Sequence, residues 1–279
     1  MDRREIAALR AELPQRELFH YHSGRFAAEL LKMVLPEQGL PVRVLRPSRF
    51  ARLLKNDVVR EALAFAGDGR LRPEHLDAVW KPHVSYWLTF DEWGTDELAW
   101  WTHCQTSRPG FNLVVQLNFA KSHDRVYRET VRPEDREPFV LNGHPVSDTD
   151  LTLAWARVDV DRHRRFALIE EVQSDWLRGA EFHAAAVRWY ARTGRDRWAV
   201  ELFGPARRDV GRIARYERAL APHRSLWAEA LLTATVTRLR RLGVTGVFMH
   251  SPQSGVAYKQ IDGNAPPASL YRDVPRRFA

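Results

Sequence analysis

The chain has a single cysteine, Cys104, among its 279 residues. One thiol forms no internal disulfide and supplies no cysteine-rich zinc or iron–sulfur site, so redox scaffolds and zinc fingers are excluded. No apolar run approaches the roughly 20 residues that a bilayer-spanning helix needs, and the segment from Met1 to Pro14 is charged where a secretory signal is apolar. These absences predict a soluble, cytoplasmic protein with no membrane partner.

Four common catalytic signatures are also missing from the sequence. The chain has no Gly-x-x-x-x-Gly-Lys-Ser/Thr phosphate loop, no Gly-x-Gly-x-x-Gly fingerprint, no His-Glu-x-x-His and no Gly-x-Ser-x-Gly elbow. The usual machinery of nucleotide hydrolysis, dehydrogenation, zinc proteolysis and ester hydrolysis is therefore not expected.

Hydrophobic and positively charged residues are plentiful. Hydrophobic residues make up 44% of the chain and include 10 Trp, 13 Phe and 7 Tyr, so the chain can fill the interior of a folded domain. With 43 Lys and Arg against 35 Asp and Glu, the formal net charge is +8. A basic balance favours polyanions, and the composition therefore predicts nucleic acid as the partner.

The spacing of apolar residues changes near residue 105. Before it, helical spacing between prolines predicts helices that include 48–54 and 58–66, with one extended stretch at Val42 to Leu45. After it, β-branched runs predict strands at 112–119, 151–160, 165–173 and 244–249, and helical periodicity covers 180–191, 209–220 and 225–242.

These patterns predict an α+β fold. A mainly helical portion at 1–105 would pack on a mostly antiparallel or mixed sheet with flanking helices at 106–279, and the two portions could share one core. The strands at 151–160 and 165–173 are expected to form a hairpin. The proline-framed tail at 266–278 is expected to lie on the domain through Leu270 and Phe278.

A polar stretch at 170–175 ends the second strand of this hairpin. Side chains alternate along a strand, which predicts two faces. One face would carry Glu171, Gln173 and Asp175, and the other Phe166, Leu168, Glu170 and Val172. Burying carboxylates is costly unless a cation or a hydrogen-bond donor meets them, so each is expected to have a partner.

The run Glu-Glu-Val-Gln-Ser-Asp-Trp at 170–176 is similar to the Glu-Glu-Ile-Gln-Ser-Asp-Trp signature of a domain found in phage, prophage and mobile-element proteins, often within large polyvalent chains. Looser likenesses lie in the same order over 75–260, including Asn112, His144 and the strand at 242–247. Trp155 stands where that family tends to have histidine. The resemblance implies a protein of mobile-element type and points to His144 as a further site residue.

Metal-dependent cleavage of phosphodiester bonds is the leading enzymatic hypothesis. Nucleases of the restriction-enzyme type place one acidic residue on the strand before an acid-x-Lys or acid-x-Gln pair, so that carboxylates hold Mg²⁺ and the last residue positions water. Asp159, Glu171 and Gln173 have this spacing. Asp159 and Glu171 would then hold Mg²⁺ or Mn²⁺, while Glu171, Gln173, Asp175 and His144 form the catalytic group.

An NAD-dependent ADP-ribosyltransferase-like enzyme is one alternative. Such an enzyme uses a strand glutamate to orient the nicotinamide ribose and a histidine or tyrosine elsewhere to hold the dinucleotide. Glu171, the segment 19–24 with its two histidines and the segment 84–87 form a loose version of that pattern.

A non-catalytic module that binds nucleic acid or protein is the other alternative. In this hypothesis Glu170, Glu171 and Asp175 satisfy buried arginines such as Arg157 and Arg188, because structural ion pairs use the same residue types as functional sites.

Several basic and polar residues are candidates for holding a substrate. Arginines recur every three or four residues from 208 onward, which sets a basic stripe that can follow a phosphate backbone. A polar turn expected at 251–255 follows a strand, at the end of the sheet where ligands often bind. The substrate-binding candidates are Arg157, Arg208, Arg212, Arg215, Tyr258 and Lys259.

Overall fold

A computed structural model describes residues 1–97, 104–131, 139–141, 143–194, 210–259 and 269–278, except for the side chains at 256, 258, 259 and 269. The strands within these ranges are β1 (Arg16–Tyr21), β2 (Leu40–Pro41), β3 (Arg70–Leu71), β4 (Val84–Thr95), β5 (Gly110–Phe119), β6 (Thr152–Asp161), β7 (Phe166–Gln173) and β8 (Gly246–Met249). The α-helices are α1 (Arg3–Ala11), α2 (Arg25–Lys32), α3 (Val42–Leu45), α4 (Asp57–Ala64), α5 (Pro73–Asp77), α6 (Lys121–Thr130), α7 (Asp175–Thr193), α8 (Val210–Arg241), α9 (Pro252–Lys259) and α10 (Pro275–Phe278).

Six strands form one mixed sheet in the order β1-β4-β5-β6-β7-β8. Neighbours from β1 to β7 are antiparallel, and β8 runs parallel to β7. Parallel neighbours need a long crossover, which here includes α7 and α8. β2 and β3 pair separately. The α+β fold class and the predicted hairpin, now β6 and β7, are confirmed.

The centre of the sheet is buried on both faces. Apolar side chains of β5 at positions 113, 115 and 117 join the main core, which also contains Leu231 and Leu239 of α8. Asn112, Gln116 and Asn118 alternate with them and are buried on the opposite face. That face is therefore polar, and hydrogen bonds have to satisfy it.

A β-bulge interrupts β7 within the run at 170–176, which we call the polar signature. Arg157 of β6 lies opposite Glu171, whereas the next residue of β6 lies opposite Ile169, so Glu170 is the extra residue. Ala167, Ile169 and Val172 all belong to the main core. The prediction that Val172 shares a face with Phe166 and Leu168 was therefore wrong, because the bulge shifts the alternation by one residue.

A second core lies among the helices of the N-terminal portion. It contains Leu31, Leu45, Val59 and Leu71. The same portion also supplies β1 and β4 to the six-stranded sheet, where β4 pairs with β5 from beyond residue 105. The sheet thus joins the two portions that the sequence separated.

Local predictions differ from the structure where packing outweighs propensity. Val42–Leu45 is helical rather than extended, because Leu45 turns into the second core. The helix predicted at 48–54 is replaced by a 3₁₀ turn at Leu53–Lys55, and residues 252–255 of the predicted polar turn belong to α9. The two helices predicted at 209–220 and 225–242 are one helix, α8, which continues through Pro222 because buried residues lie on both sides of it.

The C-terminal arm, residues 269–278, lies on the domain as predicted. Leu270 and Phe278 pack against the main core, and the Phe278 ring centroid lies 5.1 Å from that of Phe26 in the second core. None of the helices in the described residues combines the length and apolar character that crossing a membrane requires.

Candidate functional site

The end of the polar signature is a strand-to-helix junction. β7 ends at Gln173, and Ser174 caps α7 by accepting a hydrogen bond from the Leu177 N–H at 3.3 Å. The Ser174 hydroxyl also donates to the Leu153 carbonyl at 2.6 Å. Trp176 is fully buried, and its indole N–H donates to the Tyr216 hydroxyl at 2.7 Å. The cap and the tryptophan together hold Asp175 at the first turn of the helix.

Asp175 accepts hydrogen bonds from four side chains and is the central residue, or hub, of the site. Its Oδ2 accepts from His144 Nδ1 at 2.8 Å and from Trp155 Nε1 at 2.9 Å. Its Oδ1 accepts from Gln173 Nε2 and from Arg178 Nη2. The structure therefore brings three predicted catalytic residues together, namely His144, Gln173 and Asp175.

These contacts keep the Asp175 carboxylate ionised. Burial acts to raise the pKa of Asp175, but hydrogen bonds from His144 and Trp155, the charge of His144 and the Gln173 amide outweigh it, and the pKa falls below its ordinary value of 3.8. Nδ1 of His144 lies 2.8 Å from this carboxylate and 3.1 Å from Gln173 Nε2, and the ionised carboxylate favours a proton on Nδ1. Nε2 is then the remaining nitrogen, and no described residue hydrogen-bonds to it. The His144 side chain is 31% exposed.

An open groove of about 330 Å³ lies beside this hub. Asp175 and Arg178 line it, together with Gly179, Phe182 and the segment 139–141. Phe182 is 47% exposed, and the Arg178 side chain is 61% exposed. The groove is therefore lined by one exposed guanidinium, which pairs with Asp175, and by aromatic side chains.

Glu171 lies farther back, in contact with a buried arginine. Arg157 is 2% exposed and forms an ion pair with Glu171. Its guanidinium also donates to the carbonyls of Cys104 and Gln105. This is the contact that the non-catalytic hypothesis predicted for Glu171. Arg188, the other arginine named there, pairs with Glu217 instead.

Asp159 lies in a different ion-pair group from Glu171. It accepts from Arg108 Nε at 2.5 Å and from the Met1 amino group at 3.3 Å, and its neighbour across the hairpin is Leu168. Within the described residues, no three His, Cys, Asp or Glu side chains are grouped so that they could hold one metal ion. The two predicted metal ligands are thus each engaged by a cation of the chain.

The predicted basic stripe is only partly formed. Arg215 is exposed on α8, while Arg212 Nε donates to the Thr130 carbonyl at 3.0 Å. Arg208 lies outside the described residues. Tyr258 and Lys259 belong to α9, and their side chains are likewise outside the description.

The residues of the transferase hypothesis lie at opposite parts of the sheet. His20 is on β1 and Glu171 on β7, with β4, β5 and β6 between them. Four strand spacings separate them by about 19 Å. His20 and His22 instead line a cleft of about 250 Å³ with His83 and Trp80. The NAD-dependent transferase alternative stays a prediction.

Sequence reasoning missed several contributors. Arg178 could have been found, because it lies three residues after Asp175 on a helix, where side chains meet. Trp155 could not, since its indole reaches Asp175 only through the fold. Glu170 accepts from the Ser107 N–H at 2.9 Å, and the Ser107 hydroxyl lies 2.7 Å from His250 Nε2.

Comparison of the chain with protein-family models, with curated proteins and with solved structures finds no match. The resemblance to a mobile-element domain therefore stays a prediction. The function of the site has to follow from its geometry.

Proposed function

We propose that this protein cleaves phosphodiester bonds of nucleic acid by acid–base chemistry at His144. The observation that carries the proposal is the 2.8 Å hydrogen bond from His144 Nδ1 to the ionised carboxylate of Asp175, a residue that lines an open groove. A carboxylate that holds one ring nitrogen leaves the other as a proton acceptor, which is how general bases are oriented.

The reaction follows from this arrangement. His144 Nε2 takes the proton from an attacking hydroxyl or water as the new phosphorus–oxygen bond forms. The bond to the leaving oxygen breaks, that oxygen takes a proton from solvent water, and the His144 imidazolium then returns its proton to solvent. Asp175 acts as a positioning residue that stabilises the imidazolium. Arg178, which lines the groove, contacts a phosphate oxygen by charge-assisted hydrogen bonds.

Nucleic acid is the proposed substrate because the chain has a net charge of +8 and exposes Arg178 and Arg215. The resemblance of the 170–176 signature to a domain of phage and mobile-element proteins supports the same class. A divalent metal at Asp159 and Glu171 would have to displace Arg108 and Arg157. Cleavage is therefore measured both with and without Mg²⁺ or Mn²⁺.

The test compares cleavage of single-stranded DNA, duplex DNA and RNA with EDTA, Mg²⁺ or Mn²⁺. We expect His144→Gln to slow cleavage by about 100-fold or more, because a general base contributes that much. His163→Gln, an exposed histidine in the β6–β7 turn, is the matched control and should cleave normally. Absence of cleavage, or an unaffected H144Q variant, would reject the proposal.

A non-catalytic binding module is the second candidate. The ion pairs Arg157–Glu171 and Arg108–Asp159 favour it, because they give the acidic residues a structural role. This function predicts binding of nucleic acid without cleavage under any of the conditions above.

A further inference from the structure

A further cavity, which Asp175 does not line, includes residues that pack with the second core and Phe278, which packs against both cores. Its volume is about 430 Å³, within the roughly 300–1,000 Å³ typical of small-molecule sites. α2, the 3₁₀ turn, the last turn of α8 and the C-terminal arm all contribute lining residues. None of them belongs to the candidate site.

The walls of this cavity are mostly apolar. Leu30 of α2, Met33 at the end of that helix, Phe50, Leu53 and Phe278 all line it. Leu53 is only 5% exposed, so it belongs to the buried part of the wall. The apolar part of a ligand bound here would be removed from water. This burial stabilises the complex in proportion to the apolar area covered.

Three arginines share the lining of the cavity, and none of its lining residues is acidic. Within the part of the chain that the structure describes, Arg49 and Arg240 form no ion pair, although the Arg49 guanidinium lies over the Phe50 ring at 4.9 Å. Arg52 donates to the Arg276 carbonyl at 2.6 Å, which leaves its charge uncompensated.

Some other arginines on the surface are paired with acidic residues. Exposed arginines such as Arg10 and Arg162 lie within 4 Å of carboxylates of other elements. With three arginines and no acidic residue in its lining, the opening carries positive charge that favours an anion. Guanidinium groups match carboxylates in planar, bidentate geometry.

We propose that the cavity binds a small amphipathic carboxylate. The apolar body lies against Leu30, Met33 and Phe278, and the carboxylate accepts hydrogen bonds from Arg49, Arg52 and Arg240. Phe278 packs against both cores, so such a ligand links them and raises the stability of the folded chain. The site is independent of the chemistry proposed at His144.

Calorimetric titration of the full chain with decanoate tests the proposal, with decanol, decyl phosphate and inorganic phosphate in parallel. We expect decanoate to bind, to raise the melting temperature, and to bind at least about tenfold more tightly than decanol, since a charge-assisted hydrogen bond contributes that much. Arg49→Gln and Arg240→Gln should each weaken decanoate binding by about three- to tenfold. Arg43→Gln, an exposed arginine on α3 outside the cavity, should leave it unchanged.

A variant that fills the cavity gives a second readout. Val34→Trp adds bulk at a lining residue that is 37% exposed, so the chain should fold while decanoate binding is lost. No binding of decanoate, or equal binding of decanoate and decanol, would overturn the proposal. Tighter binding of decyl phosphate would overturn the carboxylate assignment, and equally tight inorganic phosphate would overturn the role of the apolar walls.

Discussion

At the scale of single residues, one buried carboxylate organises the candidate site. Asp175 is 7% exposed and accepts hydrogen bonds from four side chains. Burial of a charge is tolerated when donors replace water, and these four donors do so. The indole N–H of Trp155 is one of these donors.

Asp175→Asn should destabilise the protein in a pH-dependent way. The folded-state pKa of Asp175 lies below its ordinary value of 3.8, so folding favours the ionised form. This stabilisation is fully present above the unfolded-state pKa and is lost as the pH falls through the folded-state pKa. We expect D175N to lower the free energy of unfolding by about 1–3 kcal/mol at neutral pH.

Urea unfolding near pH 7 and at strongly acidic pH measures this difference. The loss of unfolding free energy caused by D175N should be much smaller in acid. Asp96 has a half-exposed carboxylate, so Asp96→Asn should have little effect on stability at either pH. An equal loss at both pH values would contradict the assignment of an ionised Asp175.

Arg157 and Glu171 should behave as a coupled pair. Arg157→Met removes the cation of a buried pair and should cost about 3–5 kcal/mol, because the remaining carboxylate loses its partner. The double variant R157M/E171M should recover a large part of that loss. Arg188→Met, in the half-exposed pair with Glu217, is the control and should cost no more than about 1 kcal/mol.

Chemical denaturation of the two single variants and the double variant yields their coupling free energy. Strictly additive losses would show that Arg157 acts through the Cys104 and Gln105 carbonyls alone.

At the scale of elements, the bulge in β7 separates the residues of the polar signature that contact a loop from those that reach the groove. Glu170, at the bulge, accepts from the Ser107 N–H, and Arg157 holds the carbonyls of Cys104 and Gln105. The same loop is also tied down by the pair Arg108–Asp159. The first acids of the signature therefore help to position the 104–108 loop, while its end, after the strand, presents Asp175 at the groove.

The N-terminus of α7 links stability to the site. Ser174→Ala removes the cap and the hydrogen bond to the Leu153 carbonyl, and we expect a loss of about 1–2 kcal/mol. It should also slow cleavage or weaken substrate binding, since Asp175 is the next residue. Asn56→Ala removes a comparable cap at α4, remote from the groove, and should lower stability without changing function.

Thermal unfolding and the cleavage or binding assay applied to both cap variants provide the comparison. If S174A and N56A reduced function equally, general destabilisation and not the position of Asp175 would be responsible.

At the scale of the whole molecule, charge and the two cores dominate. The net charge of +8 acts over the entire surface, and binding of nucleic acid by lysines and arginines releases counterions. We expect the affinity for a single-stranded oligonucleotide to fall at least about tenfold between roughly 50 and 200 mM salt. Arg215→Gln should lower the salt slope by about 0.7 if Arg215 contacts a phosphate.

Fluorescence anisotropy over a salt series measures this slope, with Arg43→Gln as the comparison for an exposed arginine outside the stripe. Binding that does not respond to salt would argue against nucleic acid as the partner.

Much of the architecture could be predicted because its signals are local. The strands at 112–119, 151–160 and 165–173 show period-two or continuous apolar runs, and each is observed with nearly the same limits. β1, β4 and α6 were not assigned as elements, because their charged and aromatic residues obscure the periodicity. The short helix Val42–Leu45 was assigned wrongly, since a four-residue stretch carries too little periodicity to decide against packing.

The sequence by itself determined the α+β class, the hairpin and the grouping of Gln173, Asp175 and Trp176 at a strand end, because alternation, capping and burial of aromatics act between near neighbours. Only the tertiary structure decided which charges are available. The 31-residue separation of His144 from Asp175, the pairing of Arg157 with Glu171 and the bulge at Glu170 depend on how distant segments meet. Glu171 and Asp175 both carry carboxylates. Their tertiary surroundings decide that one pairs with a buried arginine and that the other lies beside a groove.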